Sequence, residues 1–170
     1  PGTVEDLKAA PYRMVDTSLF DVEIVHKLVA HIEDIDASVN GLLINGDNFQ
    51  GLSLLQEKYR ERVNCIYIDP PYNTDASAII YKNGYKDSSW LSLLQTRLDL
   101  AKRLMQEDAL ISVAIDDQEA SPLVQVLDST FEKQVGVAVV KSNPQSRKTK
   151  GKFSPVHEYA FFYGKSEKSL

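Results

Sequence analysis

Two apolar runs, "VNCIYI" (63–68) and "ALISVAI" (109–115), stand on either side of "SSWLSLLQTRLDLAKRLMQ", in which Trp90, Leu94, Leu98, Ala101 and Leu104 recur at helical spacing. No other feature narrows the fold so far. Two short β-branched runs joined by an amphipathic helix of crossover length predict a βαβ unit, because a helix of that length carries the chain back to the start of the sheet and the two strands then lie parallel. The unbroken apolar character of 109–115 predicts a strand buried on both faces.

The same alternation extends in both directions. "GLLIN" (41–45) reads as a short strand. "GDN" turns into "FQGLSLLQEKY", with Phe49, Leu52, Leu55 and Tyr59 on one stripe and Asp47 or Asn48 as N-cap. Ser88 or Ser89 is the expected cap of the central helix. "DDQEASPLVQVLDSTF" opens another helix, with Asp116 or Asp117 capping and Pro122 tolerated near its first turn. "VGVAVV" (135–140) and "EYAFFY" (158–163) have no helix between them and predict an antiparallel edge pair. Upstream of all these, Ile24, Val25, Leu28, Val29, Ile32 and Ile35 predict a helix with one packed face, after an irregular lead-in over residues 1–20. The expected product is an α/β domain, a mostly parallel sheet covered on both faces.

At 170 residues and 43% hydrophobic content the chain suits one domain with a real core. The single cysteine, Cys65, lies inside a predicted strand, which rules out a disulfide framework and points to a reducing, intracellular setting. No apolar run reaches membrane-span length and no signal peptide is present, so no membrane association is expected. The first residue is Pro rather than Met, as in a processed chain or one cut from something longer. His26 and His31 are five apart, not on one helix face, and read as ordinary helix residues rather than metal ligands.

Net charge is −5, but it is unevenly spread. Residues 141–170 hold seven Lys/Arg against two acids, and the other 140 residues hold twelve against 22. The unpatterned stretch "KSNPQSRKTKGKFS", with Lys141, Arg147, Lys148, Lys150 and Lys152, is either a phosphate-contacting arm or a solvated loop.

The strand at 63–68 ends in "DPPYNTD". A plain strand exit needs one turn-former. This one places an acid, two prolines, a ring and an amide at the carboxyl end of a strand, where open α/β sheets keep their ligands. Pro70 and Pro71 lock two φ angles, donate no N–H, and push Asp69 and Pro70 away from the helical region, so the loop is extended and stiff. Asp69 offers an acceptor-only carboxylate, the Pro70 carbonyl a second acceptor, and Tyr72 a flat face. Together they make a socket for a planar group carrying –NH₂, such as the exocyclic amine of a nucleobase. That amine is a poor nucleophile because its lone pair is delocalised. Two acceptors holding its hydrogens bias the nitrogen toward tetrahedral geometry and offset the charge that grows on it during attack. A base in a duplex reaches such a loop only when flipped out. The plainer alternative is a capped, rigid strand exit without chemistry.

"DPPY" after an apolar strand resembles the catalytic motif of amino-methyltransferases acting on adenine N6 in DNA. "IYIDPPYNT", "YKNGYKDSSWLSLLQTRLDLAKRLM" and "ALISVAIDDQE", with "GLLINGDNFQGLSLL" upstream and "HEYAFFYGKS" near the end, resemble the Mod subunits of type III restriction–modification systems over roughly residues 16 to 165. The resemblance implies a Rossmann-like methyltransferase sheet, S-adenosylmethionine as methyl donor, and double-stranded DNA with a flipped adenine as substrate. It further implies a homodimer for the full-length protein, a Res-type restriction subunit as partner, and a cytoplasmic location. It assigns Asp69 and the Pro70 carbonyl, within the rigid Pro70-Pro71 frame, to the amine and Tyr72 to stacking. Asp47 and Asn48 fall near the donor's adenosine. The family's F-x-G-x-G donor loop and its target-recognition segment have no counterpart in these 170 residues. The expected organisation is therefore an N-terminal lead-in and helix over 1–40, then an incomplete, first-half methyltransferase domain over 41–170, inactive alone.

Other readings carry less. Asp116, Asp117 and Glu119 suit helix capping and the lining of the catalytic end better than a metal site, which needs several convergent oxygens. Trp90 serves the substrate or the core, and His157 a supporting hydrogen bond. Cytosine-N4 transfer uses a similar loop usually with Ser in place of the acid, so Asp69 favours adenine. The alternative to an enzyme is a non-catalytic module binding nucleic acid or a partner on a degenerate methyltransferase scaffold.

Overall fold

The computed structural model describes residues 3–73, 87–141 and 156–170. The chain divides into two compact units, Pro1–Ile44 and Asn45–Leu170.

The first unit is helical: α1 (Val4–Lys8), a 3-10 turn (Thr17–Leu19), α2 (Val22–Ala30) and α3 (Ile35–Ser38). A capping box between Thr3 and Asp6 starts α1. The predicted helix is present as α2, but its packed face is not. Ile24, Leu28 and Val29 are exposed and no α2 residue is buried. Some forty residues expose too much of their own surface to enclose an apolar core. "GLLIN" is also corrected: residues 41–45 form no strand, and Leu43 is 95% exposed. A short apolar run becomes a strand only when a neighbouring edge takes up its amides, and none among the described residues does so here.

The second unit runs α4 (Asn48–Tyr59), β1 (Val63–Ile68), α5 (Asp87–Leu104), β2 (Met105–Ile115), α6 (Ala120–Thr130), β3 (Lys133–Lys141) and β4 (His157–Gly164). The four strands form one sheet in the order β1-β2-β4-β3. β1 and β2 are parallel, with Ile66 opposite Ile111 and Ile68 opposite Val113. β4 inserts antiparallel between β2 and β3, with Phe161 opposite both Val113 and Val137. The predicted βαβ unit and the antiparallel pair are both there. With 41–45 out of the sheet, however, it is mixed rather than mostly parallel.

Among the described residues, only one face of this sheet is buried. Ile111, Val113 and Ile115 of β2, with Phe161 and Tyr163 of β4, pack against Trp90, Leu94 and Leu98 of α5 and Leu123, Val126 and Leu127 of α6. The whole predicted stripe of α5, including Ala101 and Leu104, is buried. A fully buried side chain of this size contributes about 1.5–3 kcal/mol. The opposite face, with Cys65, Tyr67, Ser112 and Ala114, stays half-buried or exposed, against the expectation for 109–115. Connection handedness explains why. β1, β2 and β3 are mutually parallel and advance across the sheet in one direction, so right-handed crossovers put α5 and α6 on the same face.

The caps are partly as expected. Asp47 is the N-cap of α4, its Oδ1 accepting from the amides of Phe49 and Gln50 at 2.9 and 3.4 Å. Ser88 and Ser89 lie inside the first turn of α5 rather than capping it. Asp116 closes the turn before α6, accepting from the amides of Gln118 and Glu119, while Glu119 occupies the cap position. No helix among the described residues is long and apolar enough to cross a membrane.

Candidate active site

β1 delivers the proline loop to the carboxyl rim of the sheet, next to the end of the central strand β2. Asp69 faces solvent, Pro70 is buried, and Tyr72 is half-buried with its ring against the core. The carboxylate is thus turned outward rather than consumed by interior amides.

Among the described residues, contacts from Trp90, Glu158 and Glu119 hold the loop. The indole N–H of Trp90 donates to the Pro71 carbonyl at 2.8 Å. The Tyr72 hydroxyl donates to Glu158 Oε2 at 3.2 Å and also lies within hydrogen-bonding reach of Asp69. Asn73 Nδ2 donates to Glu119 Oε1 at 3.0 Å. A phenol has a single hydrogen, so at any instant it serves one of its two carboxylates. Burial, followed by the hydrogen bond and negative charge of Asp69 and the charge of Glu158, pushes Tyr72 far above the usual phenol range. The hydroxyl therefore remains a donor at any ordinary pH. Asn73 takes a left-handed backbone, φ 57°, a conformation that Asn tolerates better than other residues with a Cβ.

Asp47 and Asn48 sit at the head of α4, and neither bonds to the described residues of the loop. Asn48 Oδ1 accepts from Arg97 Nε at 3.0 Å, and the Arg97 guanidinium lies over the Phe49 ring, 5.6 Å from its centroid. These contacts tie α4 to α5. Asp47 keeps one carboxylate oxygen, and Asn48 its –NH₂, for a ligand.

Asp116, Asp117 and Glu119 do not converge. Asp116 is committed to its turn and Glu119 to Asn73, and the described residues contain no metal-binding cluster. Burial raises the Asp116 carboxyl above its ordinary value, against the opposing pull of the amides of Glu119 and Gln118. His157 makes its supporting bond to the Tyr159 hydroxyl, 3.2 Å from Nε2. Lys141 ends β3 opposite His157, at the rim that carries Glu158, and is exposed. Arg147, Lys148, Lys150 and Lys152 lie outside the described residues.

A groove of about 340 Å³ lined by Arg60, Glu61, Asp99, Lys102, Arg103 and Lys165 lies at the other end of β1. Its lysines are already occupied, Lys102 by the Thr130 carbonyl and Lys165 by Glu107 and the Met105 carbonyl. The proline loop is the better candidate. The residue that sequence reasoning missed is Glu158, whose only signal was its place in "HEY".

Comparison with known proteins identifies the family and the fold. A model of a DNA methylase family matches residues 63–170. The chain is 31% identical to the EcoPI Mod subunit of a type III restriction–modification enzyme from Escherichia phage P1, over 74% of this chain and 24% of that protein. It is 35% identical to the probable HindVI Mod subunit of Haemophilus influenzae, over 59% and 14%. Against the type II methyltransferase M.KpnI of Klebsiella pneumoniae it is 30% identical, over 81% and 35%. The chain thus spans between 14% and 25% of the length of the Mod relatives. Among solved structures, M1.HpyAVI in complex with SAM aligns with a TM-score of 0.54 at 15% identity, covering 75% of this chain and 55% of that one. PvuII cytosine-N4-specific DNA methyltransferase aligns with 0.55 at 13%, covering 77% and 51%. At such identities these structures speak for the fold alone. The family match takes in the whole sheet and the proline loop at its rim: the chain belongs to the DNA methylase family of N6 and N4 methyltransferases.

Proposed function

We propose that this chain carries the catalytic half of an S-adenosylmethionine-dependent, adenine-N6 DNA methyltransferase of the Mod type. The observation that carries the reading is Asp69, solvent-facing at the end of β1, beside two prolines and a Tyr72 held in place by Glu158.

In this reading a flipped adenine enters with its ring against Tyr72. Its exocyclic amine donates one hydrogen to the Asp69 carboxylate and one to the Pro70 carbonyl. Both acceptors draw the nitrogen toward tetrahedral geometry and stabilise the positive charge that develops as it attacks, an electrostatic contribution from groups already in place. The donor, when bound, supplies a methyl group on a sulfonium sulfur. Once methylated through its lone pair, the amine nitrogen would shed a proton. Asp69 guides that proton outward along its hydrogen bond. The free oxygen of Asp47 and the amide of Asn48 fit one polar rim of a donor site, suited to hydroxyl and amine edges. Lys141 and the basic stretch after it supply phosphate contacts, which position DNA without reading its sequence. A restriction subunit and a second copy of the full-length protein are the partners consistent with the Mod relatives.

The test is Asp69→Ala in the full-length protein, assayed for N6-methyladenine in DNA by mass spectrometry. Loss of product with an unchanged circular dichroism spectrum and melting temperature is expected. Wild-type methylation by this variant would overturn the reading.

A further inference from the structure

Trp90 is the single tryptophan of the sequence and is 1% exposed, in the first turn of α5. A buried indole N–H needs an acceptor. Any nearby carbonyl would satisfy it, and here the acceptor belongs to the second proline of the loop, 2.8 Å away.

That choice has a geometric consequence. With φ fixed at Pro70 and Pro71, ψ is the soft backbone torsion left at each. Rotation about ψ of Pro71 swings the peptide plane that carries the Pro71 carbonyl and leads into Tyr72. The Asp69 carboxylate and the Pro70 carbonyl lie upstream of this torsion, and the Tyr72 ring lies downstream. A donor on a large, flat side chain, packed in one core cluster with Leu94, Leu98 and Leu123, holds that plane in one orientation. Glu158 then fixes the far end of Tyr72.

We propose that Trp90 is a positioning residue for methyl transfer. It touches neither base nor donor. By pinning the Pro71–Tyr72 peptide plane it sets the gap between the two amine acceptors and the stacking ring. The inference rests on the reading of the loop as the amine site. It differs from a core-filling role, which would need the bulk of the indole and not its N–H.

The experiment compares wild type, Trp90→Phe and Asp69→Ala in the full-length protein under single-turnover conditions, with DNA and donor saturating. Trp90→Phe should slow transfer by about 10²-fold, as expected when reacting groups shift by about 1 Å. In a separate donor titration its KM for the donor should stay within about twofold, the loss being confined to the orientation of the base. A Trp90→Phe rate within twofold of wild type, alongside an inactive Asp69→Ala, overturns the positioning role and leaves the amine site standing. An active Asp69→Ala overturns the amine site itself. Because Trp90→Phe also removes bulk, benzothienylalanine at position 90, which replaces the N–H by sulfur at nearly the same shape, is compared alongside it. A slowed, folded protein then supports the proposal, and an unaltered rate rejects it.

Discussion

Tyr72 and Glu158 are 86 positions apart, and the hydroxyl of the first donates to Oε2 of the second at 3.2 Å. The sheet order brings them together. β4 lies next to β2, and its first residues, His157 and Glu158, stand at the rim where the proline loop emerges from β1. Glu158→Ala removes the anchor, while Glu158→Gln keeps an acceptor oxygen. Glu158→Ala should raise the KM for DNA roughly five- to tenfold, the worth of one hydrogen bond of about 1 kcal/mol. Glu158→Gln should stay near wild type. Tyr72→Phe combined with Glu158→Ala should be little worse than either alone, which a double-mutant cycle reads directly.

Asn73 offers a cleaner backbone test. Its φ of 57° strains any side chain with a Cβ, and its Nδ2 bond to Glu119 is lost equally in Asn73→Ala and Asn73→Gly. The difference between the two variants isolates the left-handed conformation. Asn73→Ala should be less stable than Asn73→Gly by about 1 kcal/mol in urea denaturation. Equal midpoints would mean that the loop relaxes out of this conformation.

Local pattern reached most of the elements and few of the contacts. The α5 stripe from Trp90 to Leu104 was legible because a long helix repeats its signal every turn. "VNCIYI" was legible because it is a short apolar run closed by an acid and two prolines. "GLLIN" has the same apolar look and forms no strand, since five residues do not encode whether a partner edge exists. Covering of both faces was expected from the alternation of helix and strand. It was undone by strand order, which no local window contains. At the site, Asp69 and Tyr72 could be read from a contiguous motif. The grips of Trp90, Glu119 and Glu158 could not, because each crosses from another element.

Asp116 makes stability depend on pH with a definite sign. Burial raises its pKa in the folded chain, so ionisation disfavours the fold. The stability it contributes is complete below the ordinary carboxylate range and is lost as pH rises through the raised value. Asp116→Asn keeps the oxygen that accepts from Gln118 and Glu119 and removes the charge. The variant should match wild type in acid and exceed it at neutral pH, by under about 1 kcal/mol because the site is partly solvated. Melting temperatures measured from about pH 4 to 7 provide the check. A gap that narrows as pH rises would contradict the sign.

Gly164 ends β4 at the point where the chain turns back on itself. Residues 165–170 fold against the start of β2: Ser166 Oγ donates to the Glu107 carbonyl at 2.7 Å, and Ser169 Oγ to the Ala109 carbonyl at 3.0 Å. Ser169 is fully buried, and a Cβ at position 164 would overlap its Cβ and approach its Oγ to 2.7 Å. The obstruction is the stem of a short side chain with nowhere to rotate. Gly164→Ala must therefore displace Ser169 and strip its hydroxyl from the Ala109 carbonyl. Overpacking of this kind costs about 1–3 kcal/mol. Ser169→Gly alone should lose about 1 kcal/mol with its hydrogen bond. In the double variant the obstructing Cβ is gone, so Gly164→Ala with Ser169→Gly should be more stable than the sum of the two single losses. Denaturant midpoints for the four proteins give that coupling, and strict additivity would show that the steric conflict is relieved elsewhere.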